Sequence, residues 1–131
     1  MHSEKLSVLI PAAKQQVFDY VADVNNFPQW ATEFCHELRK DKNHYKVVSP
    51  MGEPYFRIQA NPDNGEINLF ATPAIDGKEY LPTRVISRGE KSSEYMVDFC
   101  QPPGISEAEF KQQRASLRKE LDNIKSHFEP K

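Results

Sequence analysis

The stretch that decides the fold is SEAEFKQQRASLRKELDNIKSHF, residues 106–128. Ser106 and Glu109 have the spacing of a capping box, in which the serine oxygen accepts a backbone N–H and the glutamate reaches back. The apolar residues recur at helical spacing and form one stripe: Phe110, Leu117, Leu121, Ile124 and Phe128. The pattern predicts a long amphipathic C-terminal helix, whose stripe must be buried against another apolar surface.

The N-terminal segment predicts one strand followed by two short helices. Leu6, Val8 and Ile10 alternate with polar residues, which indicates a strand with one buried face. Helical spacing replaces this alternation over about residues 13–23. Pro28 is placed to open a second short helix, because its fixed backbone angle suits a first turn.

Residues 35–100 predict about six further strands joined by short turns, which together form an antiparallel meander. The strongest turn signal lies at residues 61–65, where Asn, Pro, Asp and Gly follow one another. Pairing across this turn joins two apolar rows, Phe56, Ile58 and Ala60 with Ala71, Leu69 and Ile67. This concave apolar face is the surface that the C-terminal helix needs.

The last predicted hairpin spans residues 78–100. Its apolar alternation favours a register that pairs Val85 with Val97 and Arg84 with Asp98. In that register the charged pair lies on the surface and stabilises the sheet by about 0.3 kcal/mol. A slip of one residue would instead bury it as an ion pair in the interior, so the sequence leaves this choice open.

The order of elements predicts one α+β domain, residues 1–131, with a helix-grip fold. We expect a curved antiparallel sheet of about seven strands, with two short helices after strand 1. The long C-terminal helix is expected to lie across the concave face.

The bulk composition excludes several function classes. The chain has 17 Lys and Arg against 19 Asp and Glu, which gives a net charge of -2 and no general attraction for nucleic acid or anionic membranes. No apolar run approaches the roughly 20 residues of a membrane helix, and the N-terminus lacks the apolar stretch of a signal peptide. Cys35 and Cys100 predict two buried free thiols. We therefore expect a cytoplasmic protein without integral membrane association.

Short segments spread over the whole chain carry a resemblance to a known family. They are IPA (10–12), VF (17–18), NFPQW (26–30), PMG (50–52), PTRV (82–85), QPPGIS (101–106) and LDNIK (121–125). With these segments the chain resembles the START/Bet v 1-like superfamily, also called the SRPBCC or polyketide cyclase/dehydrase and lipid-transport group. It is most similar to a bacterial subgroup of unknown activity. The resemblance implies a hydrophobic cavity that binds lipids, polyketides or aromatic molecules.

The candidate ligand-binding residues are those that the expected register and helix face turn into this cavity. They are Trp30, Phe34, His36, Tyr45, Phe56, Ile58, Leu69, Thr83, Val85, Tyr95, Val97, Phe110, Gln113, Arg114, Leu117 and Leu121. The hydroxyl-bearing members combine an apolar wall with a polar tip, as selective pockets do. Arg114 falls inside the helical stripe, where its guanidinium must extend to solvent, pair with an acid or meet a polar ligand group.

Three functions are consistent with this pattern. The first is binding of a hydrophobic small molecule. The second is a polyketide cyclase-like enzyme, in which His36, Tyr45 or Tyr95 moves protons while Arg114 polarises a carbonyl. The third is a protein-interaction domain whose interior is filled by large side chains such as Phe56. The sequence shows no metal-ligand spacing and no cofactor motif, and it leaves a homodimer open.

Overall fold

The structure is a computed structural model that describes residues 3–50, 52–100 and 104–129. Its elements in chain order are β1 (Ser3–Ile10), α1 (Lys14–Ala22), a 3₁₀ turn (Val24–Asn26), α2 (Phe27–Trp30), β2 (Glu37–Asp41), β3 (His44–Val48), β4 (Tyr55–Asn61), β5 (Glu66–Thr72), β6 (Leu81–Gly89), β7 (Ser92–Cys100) and α3 (Glu107–Phe128). Parts of the turns expected at residues 50–52 and 101–104 lie outside the described residues.

The strands form one curved, antiparallel, seven-stranded sheet in the order β1-β7-β6-β5-β4-β3-β2. Only β1 leaves sequence order, since it pairs with β7 and so becomes the edge opposite β2. The short helices follow β1 and the long helix ends the chain. The predicted helix-grip fold is therefore confirmed.

Helix α3 begins and packs as its sequence pattern predicts. The Ser106 side chain accepts a hydrogen bond from the backbone N–H of Glu109, and its hydroxyl lies 3.2 Å from the Glu109 carboxylate. The buried residues of α3 are Phe110, Leu117, Glu120, Leu121 and Ile124. They face the core, where each fully buried large apolar side chain stabilises the fold by roughly 1.5–3 kcal/mol.

The register between β4 and β5 is the one expected from the sequence, with Phe56, Ile58 and Ala60 opposite Ala71, Leu69 and Ile67. The register between β6 and β7 is different. Val85 pairs with Tyr95 instead of Val97, and Arg84 pairs with Met96 instead of Asp98. Because the pairing differs from the expected register by two residues, each side chain stays on the face of the sheet that the sequence predicted.

A β-bulge at Arg88 is the physical reason for this register. The pairs on either side of it are Ser87 with Ser93 and Gly89 with Ser92, so Arg88 is the extra residue. Without the bulge, the register set by the pair Gly89 and Ser92 beside the turn would continue along both strands. The apolar rows of β6 and β7 would then lie on opposite faces of the sheet.

Arg84 and Asp98 both face solvent, and the predicted pair between them is wrong. Arg84 instead approaches Glu66 on the neighbouring strand β5, with 3.5 Å between nitrogen and oxygen. Asp98 lies opposite Lys5 on β1. Of the two expected thiols, Cys35 is buried, but Cys100 at the end of β7 is exposed, so that part of the expectation is also wrong.

The strand expected from residue 78 begins only at Leu81, because residues 73–80 form a loop along the convex side. Arg57 donates to the carbonyl of Gly77 and stacks its guanidinium 3.7 Å from the centre of the Phe70 ring. The Tyr80 ring packs beside Phe70 at 5.0 Å. This loop therefore buries an aromatic residue on the face opposite α3.

Gly65 in the β4–β5 turn offers a test of this geometry. Its φ is +77°, and an added Cβ would clash with the carbonyl oxygen of Val85. We expect Gly65→Ala to lower the free energy of unfolding by about 2–4 kcal/mol, from left-handed strain and overpacking together. Urea unfolding monitored by circular dichroism measures this change.

Gly104→Ala is the matched control, because Gly104 has a φ of +83° but an added Cβ there would meet no atom of the described residues within 4 Å. Only the backbone strain remains there, so we expect a loss of about 1 kcal/mol. Equal losses at the two positions would contradict the close approach between the turn and β6.

Candidate functional site

The candidate site is the interior between the concave sheet face and the helices. Most of the predicted ligand-binding residues are buried: Trp30, Phe56, Leu69, Thr83, Val85, Tyr95, Val97, Phe110, Leu117 and Leu121. Aromatic rings occupy its centre. Phe27 stacks on Phe56 at 4.1 Å and meets Trp30 edge-on at 5.1 Å.

The remaining predicted residues lie at the margins. Phe34, Tyr45, Ile58, Gln113 and Arg114 are partly buried. His36 is exposed beside the open edge strand β2, and its backbone N–H donates to Val48.

The Arg114 guanidinium donates to the Glu4 carboxylate on β1 at 2.5 Å. Of the three fates expected for this side chain, pairing with an acid is the one observed.

Three polar side-chain atoms of the interior have no hydrogen-bond partner among the described residues. They are the indole Nε1 of Trp30, the Oγ of Ser93 and the hydroxyl of Tyr95. Trp30 is 2% exposed, and Ser93 and Tyr95 are 0% exposed. Each buried polar group without a partner costs roughly 1–3 kcal/mol, so native proteins rarely keep several of them together.

Trp30 and Tyr95 are direct neighbours. Their rings meet edge-on with 6.3 Å between centroids. Burial raises the pKa of Tyr95 far above its ordinary value, so its phenol stays protonated. A side-chain hydrogen bond with the Thr83 hydroxyl acts against this rise in pKa. Thr83 donates its own proton to the carbonyl of Ile67.

Glu120 is a buried acid between α3 and the segment that follows α2. It is not among the residues predicted from the sequence. Its Oε2 accepts hydrogen bonds from the backbone N–H groups of Glu33 at 3.1 Å and Phe34 at 3.0 Å. Burial raises its pKa to about 7, although these two N–H donors act in the opposite direction. A signal was present, since position 120 lies three residues after Leu117, at the edge of the apolar stripe.

Asn123 adds a second connection between α3 and the segment that follows α2. Its side-chain nitrogen donates to the carbonyl of Trp30 and to the hydroxyl of Thr32, both at 3.0 Å. Glu120 and Asn123 lie on the same side of α3 at helical spacing. Together they fix the Trp30 segment to the long helix.

Cys35 lies in this connecting segment and is not a reactive thiol. Burial and the neighbouring Glu120 carboxylate raise its pKa to about 11, so the thiolate form is scarce at neutral pH.

Two surface depressions accompany the interior site, and neither lies between the sheet and α3. The larger has a volume of about 330 Å³ and lies on the convex face. Its lining is formed by Lys5, Glu66, Asn68, Tyr80, Pro82, Thr83, Arg84, Ile86, Met96 and Asp98. The smaller has a volume of about 20 Å³ and lies near Tyr55.

The described residues contain no group of three or more His, Cys, Asp or Glu side chains arranged to hold a metal ion. Within the same ranges, no helix has the length and apolar character needed to cross a membrane.

The sequence matches no family profile, and no curated protein is significantly similar to it. Its structure, however, is similar to many solved structures. The protein XoxI from Bacillus cereus superposes with a TM-score of 0.76 at 14% identity, over 98% of this chain and 96% of that one. A START superfamily protein from Mycobacterium smegmatis gives a TM-score of 0.69 at 14% identity, over 98% and 97%.

The di-domain ARO/CYC protein BexL from the BE-7585A biosynthetic pathway gives a TM-score of 0.69 at 14% identity. The similarity covers 96% of this chain and 46% of BexL, about one of its two domains. The chain has the START/Bet v 1-like fold. At these identities the likeness establishes the architecture alone, since one fold can carry many functions.

Glu120 generates a testable pH dependence. Its pKa in the folded protein is about 7, above the ordinary glutamate value of 4.5. A group with a raised folded-state pKa stabilises the fold fully below the unfolded pKa and loses that contribution as pH rises through the folded pKa. We therefore expect the free energy of unfolding to fall between about pH 4.5 and pH 7 because of this residue.

Glu120→Gln keeps an acceptor for the two backbone N–H groups and removes the charge. We expect it to raise the free energy of unfolding at pH 8 by about 1–3 kcal/mol and to flatten the decline between pH 4.5 and 7. Urea titrations across this range measure both effects. Asp122→Asn, on the exposed side of the same helix, should leave the profile unchanged. If the free energy of unfolding of Glu120→Gln kept the pH profile of the parent protein, this would contradict the raised pKa of Glu120.

Proposed function

We propose that this START/Bet v 1-like domain binds a compact hydrophobic small molecule in the interior between the sheet and α3. The supporting observation is the set of unpartnered polar atoms of Trp30, Ser93 and Tyr95, surrounded by apolar side chains. Ligand sites are mostly apolar with a few polar groups that fix orientation, and this interior has that composition. A bound molecule would supply the partners that these atoms lack.

Binding requires the interior to open, because aromatic rings occupy its centre. The segment that carries Trp30 is the natural moving part, since α2 has only four residues and is tied to α3 through side chains. Separating this segment from α3 breaks the hydrogen bonds of Glu120 and Asn123 but leaves the sheet intact. The ligand is therefore compact, and its binding is accompanied by a local rearrangement.

A polyketide cyclase-like enzyme is the second candidate, supported by the similarity to BexL. The interior holds one acid with a pKa near 7, Glu120, but its Oε2 is engaged by two backbone N–H groups. General acid–base catalysis requires a group within reach of a substrate proton, and among the predicted proton carriers His36 is exposed. These observations favour binding over catalysis.

A protein-interaction domain with a filled interior is the third candidate, supported by the packing of Phe27, Trp30 and Phe56. The unpartnered atoms argue against it, because a purely structural core gains nothing from them.

We further propose a single domain in the cytoplasm, in keeping with the balanced charge. The Aha1 protein from Colwellia psychrerythraea is a dimer. It superposes on this chain with a TM-score of 0.71 at 10% identity, over 98% of this chain and 97% of that one. We propose on this basis that a homodimer of this chain should be tested for.

Tyr95→Phe tests the binding function. The hydroxyl has no partner in the described structure, so we expect the ligand-free variant to be as stable as the parent or about 1 kcal/mol more stable. In a thermal-shift screen of apolar small molecules, a ligand at 100 times its Kd should stabilise the parent by about 2.7 kcal/mol. For a hit that carries a polar group, Tyr95→Phe should weaken binding about tenfold.

Tyr55→Phe on the convex face is the control and should change neither stability nor binding. A marked loss of ligand-free stability in Tyr95→Phe would show that the hydroxyl already has a structural partner. That result, or a screen and native mass spectrometry that both find no bound small molecule, would contradict the proposed function.

A further inference from the structure

We propose that the interior site takes an uncharged ligand carrying a carbonyl group, in preference to a carboxylate, an ammonium or a plain hydrocarbon. This inference rests on the proposed function and names the chemical class of the ligand. It is carried by the hydrogen-bonding character of Trp30 and Tyr95 and by the charge that faces them.

The unpartnered atoms of Trp30 and Tyr95 require an acceptor. The indole Nε1–H of Trp30 can only donate, and the phenol of Tyr95 stays protonated and carries a proton to donate. The two rings are in edge-on contact, with 6.3 Å between their centroids. A carbonyl oxygen has two lone pairs and no proton, so it can accept a hydrogen bond from either donor. An ammonium ligand offers only donors and leaves the indole N–H without a partner.

The charge around Tyr95 disfavours an anion. The ionisable group that acts on Tyr95 electrostatically is Glu120, which is itself an acid. Arg114, the cation within the stripe of α3, is already paired with Glu4 on β1. A carboxylate ligand would lose its hydration without gaining a counter-charge from these residues and would be repelled by ionised Glu120.

A plain hydrocarbon gains the same apolar contacts as a ketone of equal shape but leaves both donors unsatisfied. Sites that are built to hydrogen-bond a ligand group discriminate against analogues that lack it, because their buried polar groups remain unpaired. The preference for a ketone over its hydrocarbon isostere is therefore the measurable signature of this inference.

The experiment uses three probes of nearly equal shape at pH 8: 2-acetylnaphthalene, 2-isopropenylnaphthalene and 2-naphthoate. Trp30 is the only tryptophan of the chain, so its indole N–H gives one unambiguous signal in a ¹H–¹⁵N spectrum. We expect the ketone to bind about tenfold more tightly than the hydrocarbon and at least about tenfold more tightly than the carboxylate. Only the ketone should move the indole proton downfield, in the direction of a new hydrogen bond.

Tyr95→Phe should reduce the advantage of the ketone over the hydrocarbon, whereas Tyr55→Phe should leave it unchanged. The indole signal of the parent protein makes a Trp30 variant unnecessary, so a folding defect cannot obscure the result.

The possible outcomes separate this inference from the function on which it rests. If the hydrocarbon binds as tightly as the ketone, or the carboxylate binds most tightly, the ligand class is wrong while small-molecule binding stands. If all three probes leave the spectrum of the folded protein unchanged, the result counts against the proposed function itself.

Discussion

The burial of the α3 stripe against the concave sheet is the constraint on which the rest of the structure depends. Leu117, Leu121 and Ile124 join one core with residues of β1, β6 and β7. This packing also determines the fate of the polar residues on the same helix. Arg114 extends to Glu4 at the sheet edge, whereas Glu120 is drawn inside and finds two backbone N–H groups.

The same constraint explains why the interior is both closed and polar in places. The segment containing Trp30 is fixed to α3 through Glu120 and Asn123, which places the indole against Tyr95. The cost of the unpartnered Trp30, Ser93 and Tyr95 atoms is of the order of a few kcal/mol in total. In a domain whose net stability is only about 5–15 kcal/mol, such a cost is sustained where it serves a function.

The features that follow a local period could be predicted from the sequence. The stripe of α3, its capping residues and the β4–β5 register all depend on spacing within one or two neighbouring segments. The β6–β7 register could not be predicted in the same way, because the bulge at Arg88 leaves the apolar alternation intact while moving the pairing by two residues. The surface positions of Arg84 and Asp98 were one of the two alternatives that the sequence left open, and their actual partners were not predicted.

The burial of the candidate site residues could be predicted from the sequence, but their hydrogen bonding could not. Alternation alone indicates that Tyr95, Thr83 and Val97 point inward, and they do. The hydrogen-bond partners of buried hydroxyls depend on contacts between segments that are distant in sequence. The Thr83 hydroxyl donates to the carbonyl of Ile67 on β5, whereas the Tyr95 hydroxyl has no such partner among the described residues. Glu120 is the exception, since its position at the edge of the apolar stripe, three residues after Leu117, is visible in the sequence.

A crystal structure of the protein as purified from cells, at a resolution that shows ordered water, tests the central claim most directly. We predict non-protein density of a compact molecule between the sheet and α3, with an acceptor atom within hydrogen-bond distance of Trp30 Nε1 or the Tyr95 hydroxyl. Finding these atoms bonded instead to protein groups or to isolated buried waters, in a closed core, would contradict the account.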